Sequence, residues 1–182
     1  MDITGLSDDR LHLRTWREKD APALVEAVRE SVASVGQWLP WCRAGYDLSD
    51  ALTWIAHCQT GWASGDHFAF PVFEAGSGRL LGAAGLNQHN RLHRSANLGY
   101  WVRESCQRRG VAVAAARRVA RFGFSQLGLV RIEIVILPDN LASHAVARSL
   151  GAKFEAIARQ RLWVEGRARD AAVYGWILRD LD

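Results

Sequence analysis

Gln107, Arg108, Arg109, Gly110, Val111 and Ala112 stand directly in front of a long Ala/Val-rich segment. A helix that opens there has no Ser, Thr or Asp cap at Gly110. Helix-start amides lack intrahelical acceptors and carry partial positive charge. A glycine lets an anion approach that backbone closely. Arg108 and Arg109 add full charges, and Ala112 keeps the next turn small. The chemistry on offer is phosphate binding. On the loop alone, an ordinary strand-to-helix turn with surface arginines remains open beside it. No Gly-Lys-Ser/Thr follows, so this is not a P-loop, and the second and third glycines of a dinucleotide fingerprint are missing.

A second pair of polar residues also carries two readings. Asn140 is suited to cap a short helix, with Ser143 three residues later. The same two side chains could face a ligand. His89 and His93 mimic an H-x-x-x-H pair, but they fall between strands and have no third ligand, so no metal site is expected. Cys42, Cys58 and Cys106 are an odd, scattered set that reads as free buried thiols in a reducing compartment.

These groups need a scaffold. The 182 residues, 49% hydrophobic and 23% charged, suit one soluble domain over residues 1–182. No apolar run approaches the ~20 residues of a membrane helix. The N-terminus "MDITGLSDDRLHLR" has no apolar signal core, so a cytoplasmic protein without membrane partners is expected. The net charge of +4 suits an anionic ligand and equally a solvated surface.

Periodicity supplies the elements. "LHLRTW" alternates as a strand. Asp20 is expected to cap "APALVEAVRESVASV", with Leu24, Val25, Val28 and Val32 as its apolar stripe. "GQWLPW" breaks that helix and exposes Trp38 and Trp41 on a loop. "LSDALTWIAHCQTGWASG" is a second helix, capped by Ser49, with Leu52, Ile55 and Ala56 inward. Strands "FAFPVFEA", "RLLGAAGLNQ" and "ANLGYWVRE" follow, with a hairpin turn at Gly76 to Gly78. The long helix runs from Val111 to about Leu127, ended by a left-handed Gly128. "VRIEIVIL" is a central strand, a short helix runs from Asn140 to Leu150, and "KFEAIARQRLWV" and "DAAVYGWILR" close the chain around Glu165 to Arg167. The order is β-α-α-β-β-β-α-β-α-β-β.

Gln107 to Ala112 match, in order, the Gln/Arg-x-x-Gly-x-Gly/Ala coenzyme A loop of the GCN5-related N-acetyltransferase family. "LHLR", "AVRES", "WLPW", "LGYWV", "LGLVRIEI", "NLAS" and "LGAKFEAIAR" resemble its ribosomal-protein N-terminal amino acetyltransferase type, in the same order. The resemblance spans the chain. It implies a single-domain α/β (α+β) fold: a mixed central sheet of about seven strands, splayed between the fourth and fifth, flanked by about four helices. Acetyl-CoA would lie in that splay. Trp101, Val102 and Arg103 would offer backbone contacts to the pantetheine arm, the amides of Arg108 to Ala112 would hold the pyrophosphate, and Asn140 would bond the arm. Ser143 would be catalytic, protonating the departing thiolate. Trp38, Trp41 and Tyr100 would wall the acceptor pocket.

The implied reaction is acetyl transfer to a primary amine by direct attack in a ternary complex, with a protein N-terminal α-amine of the ribosomal-protein type as acceptor. A general base is not placed. The position where relatives carry a glutamate is Leu162, Glu155 reads as structural, and Glu104, His89 and Glu30 are the remaining side-chain candidates. An α-amine, with a reference pKa of about 7.7–8.0, needs less help than a lysine at about 10.4. A non-catalytic acyl-CoA sensor, another acyl donor or a small-molecule amine are the competing readings. Direct nucleic-acid binding is not expected, since no RNA-binding motif is present. A homodimer is compatible with the sequence.

Overall fold

A computed structural model describes residues 6–180. Met1 to Gly5 of the N-terminal stretch lie outside them. One seven-stranded sheet has the order β1-β2-β3-β4-β5-β7-β6. Its strands are β1 (Leu11–Leu13), β2 (Phe68–Glu74), β3 (Leu80–Asn90), β4 (Ser95–Val102), β5 (Arg131–Ile136), β6 (Lys153–Val164) and β7 (Arg167–Trp176). Only β4 and β5 run parallel; every other neighbouring pair is antiparallel. The helices are α1 (Ala21–Glu30), the one-turn α2 (Val32–Val35), α3 (Leu48–Ser64), α4 (Val111–Gln126) and α5 (Leu141–Leu150).

Two cores flank the sheet. One joins α4 and α5 to Phe68, Phe70, Leu86, Leu98, Ile132 and Ile134. The other joins α1 and α3 to Phe73 and Leu80. Alternation along each strand sends successive side chains to these opposite cores. Phe122 of α4 anchors the first, packing edge-on to Phe68 and Phe70 and tilted against Trp62. β1 pairs only with Val72 to Glu74, so β2 has a bare edge below. The Trp62 indole covers it, donating to the Ala69 carbonyl at 3.2 Å.

Several helix expectations change. Asp20 holds the N-cap position of α1 without making a cap bond. Its carboxylate instead clasps the Arg14 guanidinium, with two contacts of 2.7 Å, and accepts from the Arg17 amide. The long first helix is interrupted at Ser31, whose buried hydroxyl donates to the Ala27 carbonyl and accepts from the Glu104 amide. Asp47, not Ser49, caps α3, in a reciprocal box with Asp50. Ala51, Ile55 and Cys58 face inward there, while Leu52 and Ala56 are exposed. The i, i+4, i+7 row through Ala51 competes with the one through Leu52, and packing on Leu24 and Val28 decides it. All three cysteines are free and buried.

Replacing Phe122 by Ala is expected to cost about 3–5 kcal/mol by opening a cavity between α4 and the sheet. Urea denaturation measures it, and a loss under about 1 kcal/mol would contradict the packing described.

Candidate active site

β4 and β5 pair at only three positions, Ser95 with Arg131, Ala96 with Ile132 and Asn97 with Glu133. Beyond them the strands part, and a cleft of ≈ 1330 Å³ opens between their carboxyl ends. Strand alternation fixes which backbone groups face the gap. The Arg103 amide donates to the Leu81 carbonyl, toward β3, at 2.8 Å. At the other end the Arg94 carbonyl accepts from Val130, on the β5 side. Gly99, Trp101 and Arg103 therefore serve the β3 ladder, while Tyr100 and Val102 turn their peptide groups to the gap. The expectation for Val102 agrees with this direction. Those for the backbones of Trp101 and Arg103 do not, because their hydrogen-bonding groups point the other way.

At the mouth of the gap, Gly110 is the N-cap of α4 with φ 74°, and no side chain caps it. Nothing lies within 4 Å of where its Cβ would stand, so the left-handed backbone, not crowding, favours glycine. Arg108 is also left-handed, with φ 60°. Val111 and Ala112 open the helix and line the cleft with Arg108 and Gly110. The first-turn amides have no acceptor within the helix. Arg109 is exposed, and its carbonyl accepts from Arg10. The Gln107 side chain is directed inward. Its Nε2 donates to the Val102 carbonyl at 3.1 Å and to Ser34 Oγ at 3.2 Å. It thus satisfies a carbonyl that the parting strands leave bare.

Arg103 is 4% exposed and lies outside the cleft lining. Its guanidinium binds Glu30 at 2.5 Å and also Glu26. Glu30 in turn accepts from the Ser105 amide at 2.9 Å. These contacts tie α1 to the segment leading into the Gly110 loop. Burial pushes the Glu30 carboxyl up, but bonds from Ser105 and Arg103 outweigh this and hold it below the usual range.

The opposite wall begins at α5. Asn140 caps it, its Oδ1 accepting from the Ser143 amide at 3.1 Å, which leaves the Asn140 Nδ2 for other contacts. Asn140 and Ser143 both line the cleft. Tyr100 donates from its phenol to the Ser143 carbonyl at 3.2 Å. Burial pushes that phenol up to about 12. Tyr100 packs with the α4 core, whereas Trp101 packs with the α1/α3 core. Both residues line the cleft, from opposite faces of β4. Tyr100 braces α5, and the Trp101 ring meets Trp41 edge-on at 5.5 Å on the side where Trp38 also lines the cleft.

None of Glu30, His89 and Glu104 lines the cleft. His89 contacts the Gly65 carbonyl through Nδ1, and Glu155 is paired with Arg131. Leu162 does line it. Among the described residues the cleft has one carboxylate, Asp50, and Arg43 holds both its oxygens. The sequence reading missed Trp54, His57 and His67, which also line the cleft. The two imidazoles stack with centroids 4.4 Å apart. Burial, and then His57, push the His67 pKa down. The i, i+3 spacing of Trp54 and His57 was the available signal; His67 joins them only through the fold. Among the described residues no three His, Cys, Asp or Glu gather as a metal site, and no helix is long and apolar enough to cross a membrane.

The cleft thus lies in an open mixed α/β sheet parted between two parallel strands, with a glycine-started helix at the gap. Residues 10–153 match the model of the acetyltransferase (GNAT) domain, and the chain belongs to that family. It is 27% identical to a Bacillus subtilis protein described as "Putative ribosomal N-acetyltransferase YdaF", over 95% of this chain and 94% of that one. A Vibrio cholerae structure described as a "putative ribosomal-protein-serine acetyltransferase" superposes with TM-score 0.85 at 30% identity, covering 94% and 96% of the two chains. Mycobacterium smegmatis RimJ, in complex with CoA-disulfide, superposes with TM-score 0.84 at 25% identity, over 94% of this chain and 83% of that one.

The folded Glu30 pKa lies below its ordinary 4.5, so its contribution is full at neutral pH and is lost as pH falls through the lowered value. Glu30→Gln is expected to weaken coenzyme A binding at pH 7 and to flatten the loss of affinity below about pH 4.5. Calorimetric titration from about pH 3.5 to about pH 7 checks this. An unchanged pH profile would detach Glu30 from the loop.

Proposed function

We propose that the protein moves the acetyl group of acetyl-CoA to a primary amine, the α-amine of a protein N-terminus, by direct attack in a ternary complex. The carrying observation is the gap between β4 and β5 opening onto the uncapped start of α4 at Gly110. The diphosphate rests on the amides of Arg108 to Ala112, with the Arg108 and Arg109 charges beside it. The pantetheine arm takes the hydrogen-bonding groups that face the gap at Tyr100, as an added strand would, while Gln107 occupies the Val102 carbonyl and leaves the Val102 amide for the thioester. The Asn140 Nδ2 bonds the same arm.

In the reaction the neutral amine nitrogen attacks the thioester carbonyl carbon, forming the C–N bond. The Val102 amide stabilises the developing oxyanion. The C–S bond then breaks, and the Ser143 hydroxyl hydrogen-bonds the thiolate or passes it a proton that solvent water replaces. The proton leaving the amine passes to water. The one carboxylate among the described residues of the cleft, Asp50, is held by Arg43, which supports an acceptor of low pKa. An α-amine at about 7.7–8.0 is substantially neutral near pH 7.5, whereas a lysine at about 10.4 is not. Relatives described as ribosomal acetyltransferases support a protein N-terminus as acceptor and a cytoplasmic site of action.

Thiol release from acetyl-CoA, measured against peptides, lysine-only peptides with blocked N-termini and polyamines, tests the reading. Turnover with free N-termini is expected, and turnover confined to polyamines would overturn the acceptor class. Gly110→Glu is expected to lower coenzyme A affinity at least tenfold, roughly the repulsion of one misplaced charge. Gly110→Asn, which tolerates the left-handed backbone, is expected to fold and bind more normally. Equal affinity in wild type and Gly110→Glu would remove the loop from the cosubstrate site. Ser143→Ala is expected to lower kcat by roughly 10²-fold with little change in KM, as for loss of a proton donor. A KM effect alone would make Ser143 a binding group.

A further inference from the structure

On the sheet face turned toward α1 and α3, the cleft floor is nearly bare of side chains. Ala69, Gly85 and Gly99 stand in register across β2, β3 and β4, and all three line the cleft. Two positions along, the row becomes Asn87 paired with Asn97. His67, one residue before Phe68, lies at the end of this polar row, since Phe68 pairs with Leu86. A flat floor ending in polar groups suits an extended chain laid over the sheet.

The polar row carries unmet hydrogen-bonding capacity. The Asn97 Nδ2 donates to Asn87 Oδ1 at 2.9 Å. That bond orients both carboxamides. The Asn97 Oδ1 is buried and has no partner among the described residues. The Asn87 Nδ2 lies over Gly99, 3.6 Å from where a Cβ would stand. A glycine there leaves the amide open to the groove. A buried carbonyl oxygen without a donor carries its full desolvation cost, so the site favours a ligand or water that brings one. His67 Nε2 is likewise buried and unpaired. Its ring, stacked with His57 and Trp54, forms an aromatic shelf beside the row.

The Asn97 Oδ1 acceptor and the Asn87 Nδ2 donor left over by this bond complement a peptide group, which offers one N–H and one C=O. We propose that Asn87 and Asn97 bind the main chain of the acceptor, so that the substrate is a polypeptide recognised by its backbone beyond the terminal residue. Asn97 Oδ1 accepts from a peptide N–H, and Asn87 Nδ2 donates to a peptide C=O. This rests on the acetyl-transfer reading above and narrows its acceptor. Such recognition is indifferent to most side chains, and the shelf of Trp54, His57 and His67 receives the side chain that points off the sheet.

The test uses the full chain, acetyl-CoA and a serine-initiated hexapeptide, with three copies of that peptide N-methylated at the first, second or third peptide bond. In wild type, one methylated position is expected to raise KM roughly three- to tenfold, the loss of one neutral hydrogen bond. Asn97→Ala is expected to erase the penalty at that position and leave the other two copies unchanged relative to the parent peptide. Asn87→Ala provides a second variant should the first misfold, and it is expected to reduce the same penalty. A merely structural role would move all four peptides together. Identical penalties in wild type and both variants, or no N-methyl effect at any position, would overturn the proposal. Acetylation of polyamines but of no peptide would overturn it as well. Thiol release with no amine at all would instead sink the acetyl-transfer reading. Calorimetric binding of the same four peptides to the CoA complex then decides on the asparagine pair without turnover.

Discussion

The parting of β4 from β5 is the constraint on which the rest depends. Parallel strands joined by a helix normally pair along their length, because each unpaired peptide group in a buried sheet is costly. Here the ladder stops after Asn97 and Glu133. The molecule offsets part of that cost internally. Gln107 reaches back to the Val102 carbonyl, and separately the Tyr100 phenol ties β4 to α5 across the gap through the Ser143 carbonyl. The groups still open are those facing the gap, and they form a template for a ligand that behaves as a strand.

The gap also collects helix starts. α4 follows β4 and α5 follows β5, so both N-termini stand at the carboxyl edge of the sheet, where partial positive charge favours an anionic ligand. The two starts differ in local chemistry. Asn140 caps α5 with its own side chain, whereas Gly110 leaves α4 uncapped. The Gly110 start is held from behind by Ser31, Glu30 and Arg103, which fasten α1 to residues 103–105. A break in the first helix, which looks like a local defect, is therefore part of the support for the loop.

Strand parity divides the cleft into two chambers. Tyr100 and Val102 project toward α4 and α5, together with Ser143, while Trp101 projects toward Trp41 and the α1–α3 side. Two adjacent residues thus serve different halves of the site. The α1–α3 half, which the proposal gives to the acceptor, has a bare floor, aromatic walls and an unpaired carboxamide oxygen, with no free carboxylate among its described lining residues. That composition binds and orients more than it exchanges protons, which matches an amine able to lose its proton to water.

The strand order, the glycine start of the long helix, the Asn140 cap and the left-handed Gly128 were legible in the chain. Each depends on neighbours within a few residues, through periodicity, capping and permitted φ. The family pattern around Gln107 to Ala112 was legible for the same reason. What the chain alone left undecided lies in pairings between distant segments. Arg103 turned from an expected cleft contact into the partner of Glu26 and Glu30, more than 70 positions away in sequence (|i−j| 77 and 73). The opposite facing of Tyr100 and Trp101 is assigned to particular cores by register against β3, and one residue of register reverses every face. Asn87, Asn97 and His67 came together only when β2, β3 and β4 aligned. Sequence determined which local structures could form; the fold decided which side chains meet, because contact across a sheet is set by register that no local rule encodes.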